Sequence, residues 1–136
     1  MSRLVEYLYP TPAPRRTTAI ISWWEQRRLA YNALVGGAGL VTLAVIGTVM
    51  TLPPFNESGF VPIEGILLYG VGANVMFSFG WIVEAAAARL FGRGLLPIGP
   101  ALHRMGLTFA LGLTIFPAFL FSGLWVIATI LTLLGM

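Results

Sequence analysis

Few residues in this chain could do chemistry, and most of them fall in two stretches. Tyr31 and Asn32 follow Arg27 and Arg28, while Asn74 and Glu84 lie in a second, mostly apolar run. An intramembrane carboxylate such as Glu84 could bind a proton or a cation, provided it faced a water-filled cavity. His103, the one histidine, could ligate haem or chlorophyll, since imidazole is a common axial ligand. Bis-histidine ligation within one chain is excluded by the count. The chain has no cysteine, and all five of its acidic residues are glutamates. That leaves no thiolate metal site, no iron–sulfur ligation and no cysteine nucleophile, and there is neither a phosphate-binding loop nor a two-histidine metal motif. The chain is therefore expected not to be an enzyme and to hold no cofactor of its own, with contact to lipid or to a partner's pigment or haem left open.

Each polar group also has a structural reading. Glu84 lies about one and a half turns before Arg89, and Asn32 sits just inside Arg27 and Arg28, which puts them at similar depth. Glu84 is expected to pair with Arg27 or Arg28, with Tyr31 and Asn32 adding hydrogen bonds, so that a polar cluster pins the first span to the second. Asn74 lies nearer the middle of its run. Glu64, in the first turn of a helix, suits the positive end of the helix dipole. His103 beside Arg104 reads as an interfacial polar residue.

The elements that must hold these groups are membrane helices. Of the 136 residues 57% are apolar and 10% charged, against about a quarter charged in an ordinary soluble domain. Three runs are long enough, at about 1.5 Å per residue, to cross a hydrocarbon core of about 30 Å. The expected fold is an all-α integral membrane protein with spans of about 31–52, 63–90 and 105–134. The third run is long, and Pro117 is expected to kink it, because its ring denies a bond to the Leu113 carbonyl while the Thr114 hydroxyl helps satisfy the freed groups. A hairpin at Pro117 would leave each half too short to cross, so one helix is preferred.

Residues 1–21 form a proline-rich arm in which Pro10, Pro12 and Pro14 alternate, favouring an extended polyproline-like course. Met1 to Tyr31 lacks the apolar core of a cleaved leader, so the N-terminus is expected to be retained. The transmembrane domain, 22–136, is expected to open on a capping box formed by Ser22 and Glu25. Pro53, Pro54, Asn56, Ser58 and Gly59 mark the first connection. Gly92, Gly94, Pro97, Gly99 and Pro100 mark the second, breaking helix twice. Five arginines precede the first span, three flank the second connection, and none lies in the first. By the positive-inside rule the N-terminus faces the cytoplasm, and Met136 lies outside. The basic balance is thus topological and does not indicate nucleic acid as a partner.

Gly106, Ala110, Thr114, Ala118 and Ser122 recur at every fourth position, a spacing of small residues that lets helices approach closely in lipid. Gly36, Gly37, Gly39, Gly72, Ala73 and Gly80 add further close-packing positions.

Two stretches carry a family likeness. Trp24-Glu25-Gln26-Arg27-Arg28-Leu29-Ala30-Tyr31-Asn32 and Gly72-Ala73-Asn74 through Gly80-Trp81-Ile82-Val83-Glu84 resemble signatures of small uncharacterised bacterial integral membrane proteins. The resemblance covers the first two spans and implies a bacterial cytoplasmic membrane. It also implies that Glu25, Arg28, Tyr31, Asn32, Asn74 and Glu84 form one set, and it carries no activity. The size and three-span plan are also similar to the membrane anchors of succinate dehydrogenase, except that His103 and Arg104 here precede the third span, where the anchors place a His-Arg pair near the first. The expected function is a non-catalytic accessory subunit packed against other subunits of a larger bacterial membrane complex, respiratory or photosynthetic. A small homo-oligomeric transporter using Glu84 and a haem- or pigment-bearing anchor using His103 are the alternatives.

Overall fold

The computed structural model describes residues 3–14, 16–57, 63–92 and 97–135. Among these there is no strand. A short helix, α1 (Arg3–Leu8), precedes three long ones, α2 (Thr17–Thr51), α3 (Ile63–Phe91) and α4 (Gly99–Leu133). Each long helix is long and apolar enough to cross a membrane, so the chain is a multi-pass helical membrane protein. Ser58, Gly59, Arg15, Arg93, Gly94 and Met136, used above for connections and orientation, lie outside the described residues.

The long helices follow the expected spans, with differences at their starts. α2 begins at Thr17 and not at Ser22, so the capping box does not form. The Ile20 amide bonds the Arg16 carbonyl at 3.0 Å, and the Ser22 hydroxyl, already one turn inside the helix, accepts from the Gln26 side chain. Packing overrides the local signal there: Ile20, Trp23 and Trp24 are all buried, and all three need helical geometry to reach their partners. α4 begins at Gly99, six residues ahead of the expected span. Pro100 initiates this helix and does not break it, because a proline in the first turn lacks only an amide that would have no intrahelical partner. α3 ends before Gly92, whose positive φ of 57° is the left-handed geometry that stops a helix.

The arm also departs from expectation. Residues 3–8 are helical, and only the stretch from Tyr9 to Pro14 runs without regular structure. Pro10 and Ala13 are buried, so the arm is docked and not frayed. α4 continues through Pro117 as a single helix, which rules out a hairpin there.

Two compact units divide the chain. One comprises Met1–Ala33 and Val71–Phe109, the other Leu34–Gly70 and Ala110–Met136. All six arginines among the described residues belong to the first, whereas the described charged residues of the second are Glu57 and Glu64. A helix of 35 residues rises about 52 Å, well beyond a hydrocarbon core of about 30 Å. The early turns of α2 and α4 carry Arg27, Arg28 and Arg104.

Candidate functional site

In the arginine-bearing unit α2 and α3 run antiparallel, and their register decides which polar groups meet. Arg28 faces Asn74 and Ser78. Its Nε and Nη2 donate to the two carboxylate oxygens of Glu25 at 2.6 Å each, and Nη2 also donates to Ser78 Oγ at 2.9 Å. Nη1 donates to Asn74 Oδ1 at 3.1 Å and, more weakly, to the Asn74 carbonyl at 3.4 Å. All five donors of the guanidinium are thereby engaged, and its plane lies 4.9 Å from the Phe77 ring centre. Asn32 Nδ2 donates to Asn74 Oδ1 at 3.2 Å, and the Tyr31 hydroxyl donates to the Ala73 carbonyl at 3.3 Å. A saturated guanidinium has no donor left for a substrate, so this cluster is a clamp between two helices.

Glu84 lies outside that clamp. It pairs with neither Arg27 nor Arg28, and the one ion pair among the described residues is Arg28–Glu25. Asn74 and Glu84 are ten residues apart on one helix, which separates them by about 15 Å along the axis. The residue opposite Glu84 is therefore Trp24, one turn before Arg28. The Trp24 indole donates to Glu84 Oε2 at 2.7 Å, with Trp24 2% and Glu84 6% exposed. Arg27 points elsewhere, its guanidinium 3.8 Å from the Trp23 ring centre and its Nη1 bonded to the Trp23 carbonyl. Of the set expected from the sequence, Glu25, Arg28, Tyr31, Asn32 and Asn74 come together, whereas Arg27 and Glu84 stand apart.

Two glycines make room for the Trp24–Glu84 pair. A Cβ on Gly80 would overlap the Trp24 indole ring, and a Cβ on Gly99 would overlap the Glu84 carboxylate. Gly80 and Glu84 lie four residues apart and share a face of α3, so the indole rests on the glycine while its N–H reaches the carboxylate. Gly99 opens α4, and the carboxylate so placed sits near the positive end of that helix dipole. Sequence reasoning missed Trp24, Ser78, Phe77 and Gly99 as site residues. The one usable signal was the Gly80/Glu84 spacing, which marks a flat-bottomed slot on α3.

His103 is 2% exposed, ringed by Tyr7, Trp23, Trp24 and Phe77 at centre-to-centre distances of 5.2, 5.9, 5.8 and 6.3 Å. Neither imidazole nitrogen has a hydrogen-bond partner. His103 is thus buried in an aromatic cage, while its neighbour Arg104 is exposed and lies 5.0 Å from the Tyr9 ring centre. Aromatic rings pack edge-on against the imidazole from several sides.

The other unit holds a hydroxyl network of its own. Tyr69 Oη and Thr114 Oγ1 share a 2.5 Å hydrogen bond, and Thr114 Oγ1 donates to the Ala110 carbonyl at 2.6 Å. The Thr42 hydroxyl donates to the Thr114 carbonyl at 2.9 Å. That carbonyl neighbours the Leu113 carbonyl, which Pro117 deprives of its amide, whereas the Thr114 hydroxyl, expected to help there, bonds the Ala110 carbonyl instead. Ala110, Thr114 and Ala118 of the small-residue stripe are buried inside the chain, whereas Gly106 is open and Ser122 half-buried. An apolar groove of about 230 Å³ lies here, lined among others by Gly39, Ile46, Gly65, Tyr69 and Pro117. Glu84 does not line it. Among the described residues no three of histidine, aspartate and glutamate converge as a metal site would need. No family model, curated protein or solved structure matches the chain.

Proposed function

We propose that this chain is a non-catalytic accessory subunit that packs its helices against those of a larger bacterial membrane complex, respiratory or photosynthetic, with its arginine-bearing end in the cytoplasm. The observation that carries the reading is the set of glycines that none of the described residues covers. Gly36 and Gly47 on α2, Gly65 and Gly72 on α3, and Gly112 and Gly123 on α4 each have open space where a side chain would be. Within each pair the spacing of seven or eleven residues returns to the same helix face. Glycine costs a helix roughly 0.5–1 kcal/mol relative to alanine. Such pairs on outward faces suit the close approach of another helix, since small residues are what transmembrane interfaces use. Burial points the same way: in the most apolar stretches of α2, α3 and α4 only 17%, 6% and 6% of the residues are buried against the rest of the chain.

Nothing in the polar clusters requires turnover. The guanidinium of Arg28 is saturated, and Glu84 is held under an indole and does not line the groove. The orientation is supported by the sequence positions of the arginines, five before the first span and three around the second connection, read through the positive-inside rule. Extraction in a mild detergent followed by native mass measurement tests the proposal. The chain is expected in an assembly with other subunits, and Gly65→Leu or Gly112→Leu is expected to release it while leaving its own fold intact. A chain that migrates alone under those conditions refutes it.

A further inference from the structure

Four buried side-chain polar atoms without a hydrogen-bond partner stand out among the described residues: Tyr7 Oη, Arg27 Nε, and both ring nitrogens of His103. Buried polar groups are nearly always paired, so an unpaired set calls for an explanation, and these four belong to one neighbourhood. The Tyr7 and His103 rings meet edge-on at 5.2 Å, and Arg27 acts electrostatically on the Tyr7 phenol, which burial pushes above its ordinary range.

The element that closes this neighbourhood is the N-terminal arm. Tyr7 on α1 covers one side of the imidazole. Tyr9 lies against Arg104, and the Trp23 indole donates to the Thr11 carbonyl at 2.7 Å, which ties the arm to α2. If the arm lifts, Tyr7 and the surface beneath it meet water, and the unpaired groups find partners. Ring packing holds the arm down while unsatisfied polar groups push it off.

We propose that residues 3–14 form a pH-controlled latch over His103, closed while the imidazole is neutral and released when it takes up a proton. An imidazolium carries two N–H donors, and the cage offers neither an acceptor. Among the charged and titratable groups packed around it, the Arg27 cation opposes a second positive charge. α1 presents the Tyr7 phenol, with Glu6 nearby on the same helix; α2 presents the Arg27 cation; α3 presents Phe77, with Glu84 already engaged by the Trp24 indole. On α4 itself, Arg104 adds a second positive charge next in sequence. His103 also precedes the apolar run that begins at Met105, so water reaches it once the arm is gone. The open form binds the proton and the closed form does not. The closed form is therefore fully favoured above about pH 6.5, and its advantage falls up to tenfold with each pH unit below that.

The chain has no cysteine, so paired spin labels can be placed at Leu8→Cys and Ala86→Cys, both exposed positions of the same unit. Distances between them would be measured on the full chain in lipid nanodiscs from pH 7.5 to pH 4.5. The expected result is a single narrow distance distribution at pH 7.5 and a growing second population as pH falls, absent from His103→Phe at every pH. Tyr7→Phe keeps the ring and removes an unpaired hydroxyl. It is expected to favour the closed form by roughly tenfold, moving the midpoint about one pH unit lower. A wild-type distribution that does not change with pH overturns the latch, as does one already broad at pH 7.5. Equal opening in His103→Phe, or a midpoint in Tyr7→Phe that stays or rises, overturns it too.

Discussion

Replacing Trp24 with phenylalanine probes the pairing that holds Glu84. Among the described residues the indole N–H is the single hydrogen-bond donor to that carboxylate, at 2.7 Å, and Glu84 is 6% exposed. Phenylalanine keeps an aromatic ring over Gly80 but leaves the carboxylate without its donor. Hydrogen bonds to charged groups contribute about 1.5–3 kcal/mol, and stranding a buried acceptor adds to the loss. The smaller ring also gives up packing at a side chain that is 2% exposed, on the order of 1 kcal/mol. Together these predict a destabilisation of about 2–4 kcal/mol, or a fall in Tm of roughly 10 °C. The assay is thermal unfolding in one detergent for wild type, Trp24→Phe, Glu84→Leu and the double variant. If the indole–carboxylate bond is the reason for the loss, the double variant should be more stable than the sum of the singles predicts, by about 1.5 kcal/mol or more. A loss under about 0.5 kcal/mol in Trp24→Phe, or strict additivity in the cycle, would refute the assignment.

Other expectations rest on separate contacts. Gly80→Ala and Gly99→Ala should each lower the unfolding temperature, since the added methyl meets the Trp24 ring or the Glu84 carboxylate, whereas Gly72→Ala and Gly112→Ala should be neutral or stabilise the isolated chain by up to about 1 kcal/mol. Thr114→Val removes the hydroxyl shared with Tyr69 and should cost about 0.6–1.7 kcal/mol, the range for side-chain hydrogen bonds between membrane helices, again read by thermal unfolding. Glu84→Gln should leave proton-coupled flux in reconstituted vesicles unchanged, because the carboxylate is capped by an indole and does not line the apolar groove; a change would revive the transporter reading. A periplasm-active reporter fused after Met136 should be active, and a cytosol-active one silent; the reverse result removes the assigned orientation.

Where polar groups recur at helical spacing, the sequence was a good guide to the candidate site. Arg28, Glu25 and Asn32 share one side of α2, and Asn74 with Ser78 shares one side of α3, so a clamp between the two helices could be anticipated. The partner of Glu84 could not. A carboxylate and an arginine suggest a salt bridge by charge alone, yet the antiparallel register sets Arg28 against Asn74 and brings Trp24 to Glu84. The start of α2 was misplaced for a related reason, since a capping signal at Ser22 is worth less than the burial of Ile20, Trp23 and Trp24.

By itself the amino-acid order determined that this is an all-helical membrane chain with three long helices, and roughly where each runs, because apolar length against bilayer thickness depends on composition along one dimension. It also determined that every basic group gathers at the turns flanking the apolar runs. Only the tertiary structure decided which faces meet: that the stripe at Ala110, Thr114 and Ala118 turns inward, that the arm docks over His103, and that two glycines yield their space to an indole and a carboxylate. Those outcomes depend on the rotation and register of one helix against another, which small shifts of packing fix and which no local pattern encodes.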